Sequence, residues 1–77
     1  MQHIEKSVFR RGEYVGYGGG AVWHVRRANS SYGNWWAYPH MGANAETLRN
    51  TPMVAHTLRA LDAKLAALDP FTGQPRA

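Results

Sequence analysis

The chain has 77 residues, no cysteine and a formal net charge of +4. That length holds one small domain burying ~60% of its unfolded surface, enough for one core but not for a deep cleft with its own supporting shell. Without cysteine there are no disulfides, zinc–thiolate sites or thiol chemistry, and the basic balance favours an acidic partner, either nucleic acid or an acidic protein surface.

The opening stretch, MQHIEKSVFRRGEY, lacks the apolar run of a signal peptide. No segment approaches the ~18 apolar residues of a membrane span. A soluble, cytoplasmic protein is the expectation, since nothing favours an oxidising compartment.

In chain order, Ile4–Phe9 offers an edge strand, with Arg11-Gly12 turning into the next element. Glu13–Tyr17 (EYVGY), Ala21–Ala28 (AVWHVRRA) and Asn34–Pro39 (NWWAYP) read as three strands. Gly18, Gly19 and Gly20 form the first turn between them, and residues 29–33 (NSSYG) the second. Loops this short favour antiparallel neighbours. His40–Asn50 is a polar connection from sheet to helix. Beyond it, Val54, Leu58, Leu61, Leu65 and Leu68 fall at steps of four and three residues, one narrow stripe on a helix. Thr51 is the expected N-cap, with Pro52 at the first helical position and Asp69-Pro70 ending the helix. The expected fold is α+β: a three-stranded antiparallel sheet, four-stranded with the edge segment, packed on one C-terminal amphipathic helix. Residues 1–69 make the domain and 70–77 a loose tail.

A helix covers only one face of a small sheet. The two-residue period puts Trp23, Val25, Trp35 and Ala37 on one face and His24, Arg26, Trp36 and Tyr38 on the other. The first set is expected under the helix and the second is left open. One bulge in the third strand would exchange the two sets.

Candidate chemistry is sparse. Gly16-Tyr17-Gly18-Gly19-Gly20-Ala21 has the G-x-G-x-x-A spacing of a dinucleotide fingerprint. That motif needs a helix after it, whereas strand-like Ala21–Val25 follows, so a hairpin turn is the better reading. His3, His24, His40 and His56 are scattered, and no metal-ligand spacing joins them to an acid. No Ser–His–acid order or carboxylate pair stands out among Glu5, Glu13, Glu46, Asp62 and Asp69. No catalytic residue, metal ligand or cofactor is therefore assigned. Arg10, Arg11, Arg26 and Arg27 are interleaved with Tyr14, Tyr17, Trp23, Trp35, Trp36 and Tyr38. Arginine forks suit phosphate and carboxylate, and aromatic rings offer stacking or anchoring area. Some of these aromatics fill a core, and the arginines also keep exposed faces soluble. Arg10, Arg11, His24, Arg26, Trp36 and Tyr38 form the expected partner-binding set. On the helix, Ala63, Ala66 and Ala67 would permit close approach of a second copy, although alanine is also simply a good helix former.

The stretch from Gly12 to Ala37, GEYVGYGGGAVWHVRRANSSYGNWWA, resembles a pattern of small phage and mobile-element proteins. Its elements are G-x-Y, a glycine turn, an alternating strand ending in Arg, a second turn and Gly33-Asn34-Trp35-Trp36-Ala37. Two groups share this β-β-β-α architecture. Small phage-encoded anti-CRISPR proteins occupy a surface of a Cas protein or complex. Three-stranded DNA-reading modules of the integrase arm-binding and plant AP2-like type lay their sheet in the major groove. The longer linker at residues 40–50 departs from the second group, and Arg26 is the one arginine on the expected open face. The resemblance implies a non-enzymatic inhibitor that blocks a Cas effector sterically. A small basic nucleic-acid-binding module and a helix-mediated dimeric assembly protein are the alternatives.

Overall fold

The computed structural model describes residues 1–31, 33–51 and 53–76. Among these, β1 (Ile4–Lys6), β2 (Tyr14–Gly18), β3 (Ala21–Ser30), β4 (Gly33–Met41), α1 (Ala45–Leu48), β5 (Val54–Ala55) and α2 (Leu58–Ala66) follow in chain order. The strands form one sheet in the order β1-β2-β3-β4-β5, antiparallel throughout. The fold is α+β, an antiparallel sheet with a C-terminal amphipathic helix packed on one face.

The β2–β3 hairpin turns on Gly19 and Gly20, with φ of 63° and 75°. Two consecutive positive φ values at a two-residue turn suit the right-handed twist of the strands and are accessible to glycine. The G-x-G-x-x-A spacing is thus a hairpin, with β3 where a dinucleotide fold would start a helix. Glycine serves β2 a second way. A Cβ on Gly18 would lie 2.6 Å from the backbone oxygen of Leu65, and one on Gly16 would lie 2.8 Å from Leu65 Cδ1. Bare backbone at these two positions lets α2 sit directly on the strand.

Trp23, Val25, Leu48, Leu61 and Leu65 are fully buried in this layer, joined by Ile4, Ala37, Met53, Ala55 and Leu68. Each large apolar side chain so buried contributes ~1.5–3 kcal/mol. Trp23 keeps its indole N–H satisfied by donating to the Gly18 carbonyl at 2.9 Å. Two polar ties lock the helix to the sheet. The His3 backbone N–H donates to Asp62 Oδ2 at 2.9 Å, and Lys64 Nζ donates to the Val54 carbonyl at 2.7 Å.

Five expectations change. The helix starts at Leu58, not after Thr51: Thr57 is the N-cap, accepting from the Ala60 N–H at 3.1 Å. Pro52, the expected first helical residue, lies outside the described residues. Val54 continues the leucine stripe in spacing but belongs to β5, where Val54 and Ala55 pair with Trp36 and Trp35. The sheet gains its fifth strand there, as β5 pairs with the edge of β4 that β3 leaves free. The connection expected over His40–Asn50 contains the end of β4 and α1. At the edge, β1 stops at Lys6, and Ser7 begins a loop. Residues 70–76, expected as a loose tail, fold back instead. The Arg76 N–H donates to the Ala67 carbonyl and the Asp69 N–H to the Gln74 carbonyl, each at 2.8 Å. Asn44 Nδ2 ties this segment to the glycine turn through the carbonyls of Gly19, Pro70 and Phe71.

Candidate binding face

The side of the sheet away from the helices carries the polar half of each strand's alternation. Register fixes its membership: Val15 lies opposite His24, His24 opposite Tyr38, and Arg26 opposite Trp36. His24, Arg26 and Tyr38 are exposed and Trp36 is half-buried. The expected split of the two faces holds, because the one-residue irregularity in β4 falls at His40, past Tyr38. Pro39, which cannot donate to the ladder, sits beside that bulge.

The bulge has a consequence for the site. It brings Met41 opposite Val22, beside His40, whose ring lies 4.3 Å from that of His24. The Trp36 and Tyr38 rings lie 5.7 Å apart, tilted at 53°. Above Trp36 lies the Arg26 guanidinium, 5.2 Å from the ring centroid, a cation–π distance.

The β1–β2 loop brings a second arginine to this face. Ser7 Oγ accepts from the N–H groups of Phe9 and Arg10, each at 3.2 Å, and the Glu13 N–H donates to the Arg10 carbonyl at 3.3 Å. These bonds fold Ser7–Glu13 into a compact turn. Arg10 then lies at the edge of the sheet, 3.8 Å from the Glu13 carboxylate. Arg10, Glu13, His24, Arg26, Trp36 and Tyr38 line one shallow hollow of about 230 Å³. A second hollow of about 300 Å³ adjoins it, sharing Arg10, Glu13 and His24 and reaching Phe9 and His40.

Five of the six expected contact residues therefore meet around one hollow. Arg11 does not: it is exposed and lines a separate hollow of the same loop, with Lys6, Val8 and Gly12. The structure adds Glu13, His40 and Phe9, the last 92% exposed at the loop tip with Val8 at 87%. His40 was within reach of sequence reasoning, since the series Trp36, Tyr38, His40 keeps the two-residue period. Ending the strand at Pro39 hid it. Nothing in the local sequence says that the loop turns Arg10 and Phe9 toward the open side.

The electrostatics are cationic. Loss of hydration on the sheet holds the His24 imidazole below its ordinary range, and His40, Arg10 and Arg26 push it further in the same direction against Glu13. Of the two nearby acids, Glu13 is engaged by Arg10, and Glu5 accepts from the Tyr17 hydroxyl at 2.9 Å. That bond raises the Tyr17 pKa, because it is made by the protonated phenol beside a carboxylate. Among the described residues no carboxylate pairs with Arg26, and no three His, Asp or Glu side chains converge as a metal site. No described helix is long and apolar enough to cross a membrane.

Comparison with protein-family models, with curated proteins and with solved structures finds no match.

Proposed function

We propose that this protein is a non-enzymatic binding module that works by laying its open sheet face on a macromolecular partner. The observation that carries this reading is the Trp36–Tyr38 pair, held on an uncovered face and ringed by Arg10, Arg26 and His24. Soluble proteins rarely leave large rings clustered on a surface without using them, and Trp, Tyr and Arg supply most interface anchors. The 230 Å³ hollow is shallow and continues into its 300 Å³ neighbour, which suits an extended partner lying across the face.

The partner class comes from the resemblance to small phage-encoded anti-CRISPR proteins. On that reading the face blocks a surface of a Cas effector complex, with Trp36 and Tyr38 as anchors and the arginines as charged contacts. The test is capture of purified Cas effector complexes on immobilised protein, beside a Trp36→Ala/Tyr38→Ala variant. Retention by the wild type and loss in the variant is the expected result. No retention of any complex, with interference intact in cells that express the protein, sinks the Cas assignment.

A further inference from the structure

Resting on the binding-module reading and not on the Cas assignment, we infer that the occupant of the open face is single-stranded nucleic acid. Its unpaired bases stack on Trp36 and Tyr38, and its phosphates meet Arg10 and Arg26.

Three observations converge. First, two rings lie side by side on a sheet surface at 5.7 Å, one exposed and one half-buried, with no helix above them. Tyr38 offers an exposed ring, and the Arg26 guanidinium over Trp36 adds a second planar surface; such planes accept any base, because every base has a π-face. Second, two arginines border those rings, Arg10 already 3.8 Å from the Glu13 carboxylate and Arg26 without such a partner among the described residues. Arg26 lies on the Trp36 ring. Arg10 crosses from the loop, and the His24 and His40 rings continue the polar surface along β3 and β4. Third, the two hollows adjoin and share Arg10, Glu13 and His24, which makes a track longer than one group rather than an isolated socket.

The same features weigh against duplex. Base faces in a duplex are stacked on each other and closed to Trp36 and Tyr38, so a duplex would engage only the arginines. An acidic protein would also satisfy the arginines, but ring faces bordered by cations match the alternation of base and phosphate along a strand more closely.

The experiment is a titration of the full chain with fluorescent oligothymidylate, the same length of single-stranded RNA, and a duplex of equal length, at about 50 and about 200 mM salt. Single-strand binding should weaken about tenfold between these salts if two to three phosphates are neutralised. Duplex should bind more weakly than either single strand. Trp36→Ala should cost about tenfold or more, the effect of losing one stacked base. Because Trp36 is half-buried, a second readout avoids a folding defect. Oligothymidylate should quench tryptophan fluorescence in the wild type, and Trp36→Phe should remove most of that quenching while keeping most of the affinity. Trp23 lies buried, and Trp35 lies on the helix face.

No binding at the lower salt, duplex bound as tightly as single strand, or quenching that survives Trp36→Phe overturns the inference. If an acidic protein or a Cas effector is captured through Trp36 and Tyr38 while no oligonucleotide binds, the inference fails and the binding-module reading stands. If Trp36→Ala/Tyr38→Ala alters binding to neither, both fail.

Discussion

Arg26 and Trp36 face each other across the β3–β4 ladder, with the guanidinium carbon 5.2 Å from the ring centroid. One residue along, Arg27 repeats the arrangement on Trp35 at 5.0 Å, but on the helix side of the sheet. There Trp35 also meets Tyr14 edge-on at 5.6 Å. Two adjacent Arg–Trp pairs thus point to opposite faces. One is braced by the core margin, and the other is exposed to whatever docks.

The exposed pair should show measurable coupling. A double-mutant cycle of Arg26→Ala and Trp36→Ala in urea denaturation should give an interaction of about 0.5–1 kcal/mol, the range for a cation–π contact at an accessible site. Arg26→Ala alone should cost little beyond that. Strict additivity of the two substitutions would show that the guanidinium does not rest on the ring in solution.

The two glycines beneath Leu65 should respond unequally to alanine. At Gly16 the new methyl meets the tip of the Leu65 side chain and Val25 Cγ2, groups able to shift. At Gly18 it meets the Leu65 carbonyl oxygen at 2.6 Å, so the helix backbone itself must move. Overpacking costs ~1–3 kcal/mol. Gly16→Ala belongs at the low end of that range and Gly18→Ala at or above the top. Equal losses on thermal or urea unfolding would contradict the close seat of α2 on β2.

The helix start offers a direct comparison of two threonines. Thr57→Ala removes the side chain that accepts from the Ala60 N–H and should cost ~1 kcal/mol. Thr51→Ala should cost less, because Thr51 lies ahead of β5 and caps no helix. Urea unfolding of both variants measures the difference, and a larger loss at Thr51 would restore the longer helix.

This pair also shows where the sequence was legible. The leucine stripe predicted a helix and its buried face correctly at Leu61 and Leu65. Leu68 is buried as expected but lies past the C-cap Ala67, bridged to Pro75, so the helix ends before Asp69-Pro70. The stripe overshot to Val54 because four-residue spacing cannot tell a helix turn from a strand that happens to precede it. What decides Val54 is pairing with Trp36, a contact 18 residues away in sequence. The open face was legible for the opposite reason. Its members lie within one or two residues of each other on single strands, so period alone assigns them. That held because the bulge came after Tyr38. Arg10 and Phe9 reached the site through a loop folded by the Ser7 hydroxyl, which no periodicity encodes.

His24 predicts opposite pH trends for folding and for binding. His24 is held below its ordinary value of 6.5 by loss of hydration and by His40, Arg10 and Arg26 around it, with only Glu13 opposing. The folded chain therefore binds this proton less readily than the unfolded chain. Stability is unaffected well above pH 6.5, falls as the pH drops through 6.5, and stops falling once the lower folded-state value is passed. Melting temperature should accordingly decline on acidification from about pH 8 to about pH 5, and His24→Gln should remove that part of the decline. A polyanion on the face reverses the balance, since phosphate beside His24 favours the imidazolium. Binding should then take up protons, so that oligonucleotide affinity rises over the same interval in which the free protein loses stability. His24→Gln should flatten the binding trend as well. Affinity that is constant with pH in the wild type, or a trend unchanged in His24→Gln, would place the phosphates away from the His24–His40 end of the face.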